Sequence, residues 1–157
     1  MSRALLTVIL FLSSCATPQL TITQAQAVAR VDQLVHETAT ALDPRPRLEL
    51  IPYSVPPGTC PEGEGQVIVN RKYWLRGVPE SRNTNISRQV RAFWVSQGHH
   101  VTGSGTGGSP NLSGESQPDG FILALVRAAD GALYLAATST CVWPDGTPPE
   151  TEKTPAH

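Results

Sequence analysis

The sequence predicts an α+β domain of two layers, in which a mostly antiparallel sheet of about five strands carries two helices on one face. Two segments have the period of an amphipathic helix, whereas five short segments have the composition of strands. The last two predicted strands are joined by Asp130-Gly131, a pair that is typical of a hairpin turn. Strands that outnumber the helices and end in a hairpin favour an α+β arrangement.

The first helix is predicted over residues 24–42. Thr23 and Gln26 have the spacing of a capping box at its start, and apolar residues then recur at steps of three and four. Asp43-Pro44 ends the helix, because the residue before a proline avoids the helical conformation.

A second helix is predicted from Asn83 or Asn85 to Gln97. Its apolar residues fall on one compact face, and Gly98 is typical of the residue that follows a helix end. The apolar face consists of Ile86, Val90, Phe93 and Trp94.

Five strands are predicted along the chain. The first contains Pro52, which cannot donate a ladder hydrogen bond and therefore predicts an edge strand or a frayed strand end. The last two strands are apolar on both faces, which predicts a central position in the sheet. The predicted strands cover residues 48–53, 66–76, 99–102, 121–126 and 133–138.

Two stretches are predicted to lack regular structure, which leaves one domain over residues 23–143. Residues 103–120 are rich in Gly, Ser, Pro and Asn without a hydrophobic period, which predicts a mobile loop. Within it, Gly103 to Gly108 matches the G-x-G-x-x-G pattern of dinucleotide-binding turns, but no helical pattern follows, so we expect a flexible loop. Residues 144–157 are rich in Pro, Glu and Thr and are predicted to form a disordered tail.

The chain begins with the features of an export signal. Arg3 supplies a positive charge before the apolar run Ala4–Leu12. This run is shorter than the about 20 apolar residues that a transmembrane helix needs, but it fits the hydrophobic region of a signal peptide. Two serines then precede Cys15, and the stretch from Leu12 to Cys15 resembles the lipobox of bacterial lipoproteins.

This resemblance implies that residues 1–14 are removed and that a diacylglycerol is attached to Cys15 through a thioether. The lipid would hold the chain at the extracytoplasmic face of the cell membrane, with residues 15–22 as a tether. Two or three acyl chains are sufficient for stable anchoring. The pattern from Tyr73-Trp74 to Cys141 and Trp143 is also similar to small lipoproteins of actinobacteria, a resemblance that implies no particular chemistry.

With Cys15 assigned to the lipid, Cys60 and Cys141 remain. An exported, oxidising setting predicts a disulfide between them. Zinc is the alternative, but neither cysteine has a C-x-x-C partner.

The charges of the sequence are nearly balanced, with 12 Lys and Arg against 13 Asp and Glu and without a basic face, so we expect no nucleic-acid partner. No cofactor or metal is predicted.

The favoured function is a non-enzymatic, lipid-anchored binding or adaptor module with a protein or cell-envelope partner. An alternative is a small cell-envelope enzyme, a hydrolase or a metal-dependent enzyme, that uses His99 or His100 and Asp119 beside the loop. Adjacent residues on a strand point to opposite faces, so the two histidines do not easily share one metal.

A further alternative is a carrier of a small apolar ligand between the helices and the sheet, which predicts an apolar cavity there. Tyr53, Tyr73 and Trp74 lie near the Pro-rich loop and are candidates for the lining of a partner groove.

Overall fold

Within the residues that the computed structural model describes, 21–61, 63–102 and 109–150, the chain forms a two-layer α+β domain, which confirms the predicted class. Cys15, the glycine motif at 103–108 and residues 151–157 lie outside the described residues. The described helices are α1, Gln24–Thr40, and α2, Asn83–Ser96. Neither combines the length and the apolar composition that crossing a bilayer requires.

The described strands are β1 Arg47–Leu50, β2 Gly58–Thr59, β3 Val67–Ile68, β4 Asn70–Arg76, β5 His100–Val101, β6 Leu112–Glu115, β7 Ile122–Arg127 and β8 Leu133–Thr138. Six of them form the main sheet, which is antiparallel throughout and has the order β1-β4-β8-β7-β6-β5. The two predicted central strands, β7 and β8, lie at its centre, and the first strand lies at an edge, as expected. The other two, β2 and β3, form a separate small antiparallel pair.

Both helices begin where the sequence predicts. The hydroxyl of Thr23 accepts the backbone N–H of Gln26 at 3.1 Å, and the Gln26 side chain accepts the backbone N–H of Thr23 at 2.9 Å, so the capping box is formed. Helix α1 ends at Thr40, two residues before the predicted end. Helix α2 begins at Asn83, directly after a 3₁₀ turn over Glu80–Arg82.

The two helices share one face of the sheet, because their buried residues belong to a single core cluster. Trp94 of α2 is 1% exposed, and its indole N–H donates to the hydroxyl of Thr38 on α1 at 3.0 Å. The helices also meet the strands through side chains that are almost completely buried. These include Val31, Leu34, Ile86, Val90, Leu123, Leu125 and Leu135.

The prediction of a mobile loop over 103–120 is wrong for its second half, because β6 lies within it. Leu112 is only 4% exposed and packs into the core. A side chain at Gly114 would place its Cβ 3.3 Å from the Trp94 ring and 3.2 Å from the carbonyl oxygen of His100. Gly114 therefore permits a close approach of helix and strand, rather than marking a flexible segment.

The predicted boundary of the disordered tail at residue 144 is also wrong. The carbonyl of Pro144 accepts the N–H of Gln24, and the carbonyl of Gly146 accepts the N–H of Thr21, both at 3.0 Å. The backbone N–H of Trp143 donates to the hydroxyl of Thr21 at 2.8 Å. The two ends of the described chain therefore lie side by side.

The face of the sheet opposite the helices, called the open face below, consists of the side chains that alternate with the core residues. It includes Trp74 on β4, Tyr134 on β8, Val126 on β7 and Ser113 on β6. Neither described helix packs on it. Ile51, the residue after β1, continues the alternation onto this face and is only 2% exposed, whereas the neighbouring Tyr53 is 73% exposed.

Candidate binding surface

A disulfide bond joins Cys60 to Cys141, as the sequence predicts. The two Cα atoms are 5.7 Å apart, and 81 residues separate the cysteines in sequence. Beside the bond, Val67 and Val142 exchange two backbone hydrogen bonds of 2.9 Å. The segment between β1 and β3 is thereby fixed to the chain that follows β8.

The turn between β6 and β7 holds Asp119, one of the three predicted site residues. Its Oδ2 accepts the Nε–H of Arg30 on α1 at 2.5 Å, and its Oδ1 accepts the hydroxyl of Ser116. Burial by itself would raise the pKa of Asp119, but the hydrogen bonds from Ser116 and Arg30 outweigh it and lower that pKa. Asp119 is therefore an ionised carboxylate with both oxygens engaged.

His99 contacts the same turn. Its Nδ1 accepts the backbone N–H of Gln117 at 3.2 Å, which requires that Nδ1 carry no proton. Burial lowers the pKa of His99, and the positive charge of Arg30 lowers it further, against the opposing charges of Asp119 and Glu37. The ring is therefore held neutral, with one of its two nitrogens occupied.

His100 lies on the side of the sheet away from the helices, unlike His99, which contacts the β6–β7 turn. It lies opposite Glu115 in the β5–β6 register, whereas the next residue, Val101, packs against the core. His99 and His100 therefore diverge, as the sequence predicts for neighbours at a strand. Among the described side chains, no three His, Cys, Asp or Glu residues are grouped so that they could hold a metal ion. The contacts of His99 and Asp119 hold the β6–β7 turn against α1.

Sequence reasoning missed two members of this cluster, Arg30 and Ser116. Arg30 is 89 residues from Asp119 along the chain and resembles any solvated arginine of a helix. Ser116 is 0% exposed, and its hydroxyl also accepts the N–H of Phe121 at 3.1 Å. The Ser-x-x-Asp spacing of residues 116 and 119 is the one local signal, because both residue types favour turns, where their side-chain oxygens bond to nearby groups.

An apolar groove of about 460 Å³ lies on the outer side of the helices. Exposed residues of α1, including His36 and Thr40, line it together with the partly buried Phe93 of α2. Between the helices and the sheet, core side chains such as Trp94 and Phe121 pack with 1% exposure. The groove is thus on the surface of the layer, and not between the layers where the carrier hypothesis expects a cavity.

Aromatic and basic side chains meet on the open face. The rings of Trp74 and Tyr134 form an edge-to-face pair across β4 and β8, with centroids 5.5 Å apart and planes at 85°. The guanidinium of Arg76 lies 5.1 Å from the Trp74 ring centroid and donates to Glu49 at 2.7 Å. Two strands and one ion pair therefore hold this aromatic cluster in place.

A second cation–aromatic pair extends the open face towards the edge of the sheet. The ammonium of Lys72 lies 5.6 Å from the ring centroid of Tyr53, which is 73% exposed. Tyr53 stands on a 3₁₀ turn after β1, where the Ser54 hydroxyl donates to the carbonyl of Ile51 and accepts the N–H of Lys72 at 3.0 Å. These bonds fix the turn beside β4.

Tyr73, the third aromatic candidate from the sequence, belongs to the other face. Its hydroxyl donates to Asp32 of α1 at 2.8 Å, and its ring meets His36 edge-on at a centroid distance of 5.4 Å. Burial and the hydrogen bond to Asp32 raise the pKa of Tyr73 to about 12. Of the predicted groove residues, Tyr53 and Trp74 share a surface and Tyr73 does not.

The middle of the open face is apolar. Ile122, Ala124 and Val126 alternate along β7 on this side, and Ile122 is 48% exposed. The open face therefore passes from basic and aromatic residues on β1 and β4 to aliphatic residues on β7. This combination is suited to binding another molecule, because aromatic residues and arginine are enriched at protein interfaces.

Comparison of the chain with protein-family models, with characterised proteins and with solved structures finds no match in any of the three.

Proposed function

We propose that this chain is a lipid-anchored extracytoplasmic binding or adaptor lipoprotein, and that the open face is its binding surface. The open face supports the proposal because Trp74, Tyr134, Arg76 and Lys72 converge on a sheet surface that neither described helix covers. Trp, Tyr and Arg are the residues that contribute most of the binding energy at protein interfaces. Their clustering favours a binding role for this side of the domain.

The proposed anchor is the lipid on Cys15, which the lipobox resemblance implies. Thr21 bonds to Trp143 and Gly146, so the tether would join the domain at the end where its two termini meet. Thr21 is six residue steps from Cys15, a stretch that spans at most about 20 Å when extended. This reach would keep the domain close to the membrane.

Binding is favoured over catalysis by the contacts of the candidate site residues. Asp119 is bonded by Arg30 and Ser116, and the Nδ1 of His99 is occupied by a backbone N–H. His100 lies on the opposite side of the sheet from the core-facing Val101. A general acid or base requires a free group that reaches the substrate. Both carboxylate oxygens of Asp119 and the Nδ1 of His99 are engaged in the structure of the turn, and His100 lies on another face, so the three candidates do not converge on one reaction centre.

Photocrosslinking in membranes tests the proposed surface. A benzoylphenylalanine residue is placed at Tyr53, which is 73% exposed on the open face, and in a matched variant at Val95, which is 56% exposed on α2. We expect a discrete adduct from position 53 and none of that size from position 95. Equal adducts from both positions, or none from position 53, would contradict the proposed surface.

Mass spectrometry of the membrane-extracted protein tests the anchor. We expect a mature chain that begins at Cys15 and carries a diacylglycerol mass. An unmodified Cys15, or a mature start at another residue, would overturn the anchor and leave the crosslinking result to be judged separately.

A further inference from the structure

We infer that the open face binds a protein segment in which acidic side chains flank an apolar or aromatic one. The inference rests on the proposed function and names the chemistry of its partner. It follows from the spacing of the side chains on β4, from the charge of the strand pair β1–β4, and from the apolar residues beside it.

The spacing on β4 fits an extended segment. Lys72, Trp74 and Arg76 occupy alternate positions of one strand and therefore point to the same side. Alternate residues of a strand are about 6.7 Å apart, which places the Cα atoms of Lys72 and Arg76 about 13 Å apart with Trp74 between them. The guanidinium of Arg76 lies over the Trp74 ring and the ammonium of Lys72 over the Tyr53 ring. An extended partner that runs along β4 has the same period, so an acid, an apolar residue and an acid at alternate positions would meet all three.

The charge of this strand pair favours an acidic partner. Three cations, Arg47, Lys72 and Arg76, face one carboxylate, Glu49. Glu49 lies 2.7 Å from Arg76 and 3.7 Å from Arg47, and the hydrogen bond from Arg76 lowers its pKa, so it remains ionised. Within the described residues Lys72 forms no ion pair, and its ammonium rests on the ring of Tyr53. The charge of Asp130 also acts on Arg76, but three cations against two carboxylates still leave positive charge for a partner to neutralise.

The apolar side chains favour a protein over a glycan. Ile122, Ala124 and Val126 adjoin the aromatic pair on the open face and offer no hydrogen bonds. A glycan laid across them would lose hydration of its hydroxyl groups without gaining hydrogen-bond partners, which is unfavourable. An apolar side chain of a protein gains from the same contact.

The positions of the basic residues also argue for a local contact rather than general attraction. The ammonium of Lys72 lies 5.6 Å from the centroid of the Tyr53 ring, and the guanidinium of Arg76 lies 5.1 Å from that of the Trp74 ring. These contacts fix the positions of both charges on the surface. The chain as a whole has a net charge of −1 and would not attract acidic molecules over a long range. Recognition therefore depends on the pairing of charges at this surface.

Peptide titration of the full mature chain, with Cys15 replaced by serine, tests the inference. The probe is a synthetic nine-residue peptide with a central phenylalanine and glutamates two residues to each side, followed by the shift of the Trp74 indole N–H in NMR spectra. Control peptides carry lysines in place of the glutamates, or alanine in place of the phenylalanine. We expect saturable binding of the first peptide and binding weaker by about tenfold for each control.

Matched charge reversals locate the contact. Lys72→Glu changes the open face, whereas Arg88→Glu makes the same sign change at an exposed position of α2. Lys72 is preferred to Arg76, because Arg76 also holds Glu49 on the edge strand. We expect about a tenfold loss of peptide affinity for Lys72→Glu and less than about a twofold change for Arg88→Glu. Circular dichroism of both variants verifies that they are folded.

Polygalacturonate and phosphatidylglycerol vesicles serve as the competing anionic probes. Binding of either at the Trp74 signal without binding of the glutamate peptide would overturn the inference, as would equal effects of the two charge reversals. If the Tyr53 photoadduct forms in membranes but its yield is unchanged by Lys72→Glu, the proposed binding function is retained and the inference of an acidic partner is rejected. If no adduct forms at position 53, the proposed binding function of the open face is itself rejected.

Discussion

Replacement of Thr38 by valine removes the hydroxyl that accepts the indole N–H of Trp94. The two side chains are 3% and 1% exposed, and the hydrogen bond between them measures 3.0 Å. Thr38 also donates to the carbonyl of Leu34 at 2.8 Å, but that carbonyl keeps its regular helical partner. Valine has nearly the shape of threonine, so the substitution leaves no cavity and isolates the effect of the lost acceptor.

The expected cost is that of a buried N–H without a partner, about 1–3 kcal/mol in the free energy of unfolding. Thr38→Ser keeps the hydroxyl and loses one methyl group, for which we expect about 1 kcal/mol. In a Trp94→Phe background no indole N–H exists, so Thr38→Val should then cost close to nothing. The coupling energy of this double-mutant cycle measures the hydrogen bond between the helices.

Urea unfolding followed by far-ultraviolet circular dichroism measures all four proteins of the cycle. The reasoning is refuted if Thr38→Val is as stable as the parent chain. It is also refuted if the substitution costs as much in the Trp94→Phe background as it does alone, because the loss would then not come from the indole.

Three other predictions concern the disulfide, the β6–β7 turn and Tyr73. Replacing Cys60 and Cys141 by alanine should lower the free energy of unfolding by about 4 kcal/mol, the loop entropy of an 81-residue separation; a loss under about 1 kcal/mol in denaturant titrations would contradict this. Asp119→Asn should cost about 1–2 kcal/mol at pH 7, because the charged bond from Arg30 is lost. The pKa of Asp119 is lowered on folding, so this stabilisation is present above the unfolded pKa of about 4 and disappears as the pH falls through the folded pKa; an equal cost of the substitution at pH 2 and pH 7 would refute it. For Tyr73, the folded pKa of about 12 exceeds the unfolded value near 10, so its stabilisation is lost as the pH rises from 10 towards 12; Tyr73→Phe should remove the latest tyrosinate step at 295 nm, and an unchanged titration curve would contradict the assignment.

The predicted helices and central strands follow from local sequence, because their patterns are strong. The capping box of Thr23 and the alternation in β4 depend on neighbouring residues alone. The disulfide follows from the small number of cysteines. In these cases the physical cause lies within a few residues or in simple counting, so the sequence suffices.

Strand β6 was missed because its reason is tertiary. Its four residues include Ser113 and Gly114, which resemble the residues of a loop. Gly114 is needed because the Trp94 ring packs within 3.3 Å of the position where a Cβ would lie. A residue chosen for a contact with a distant helix carries no local sign of that contact.

The candidate sites show the same limit. His99 and Asp119 could be proposed from residue type, but Arg30, which engages Asp119, lies 89 residues away on another element. The open face depends on the order of the strands, since Trp74 and Tyr134 meet only when β4 pairs with β8. Sequence alone predicts the alternation of β4 and not the neighbour that completes the surface.

The central claim is that the open face binds the partner, and the yield of the Tyr53 photoadduct in native membranes tests it most directly. We predict a discrete adduct that falls by about tenfold with Lys72→Glu and stays within about twofold with Arg88→Glu. An adduct from Val95 of equal yield, or no adduct from position 53, would contradict the claim.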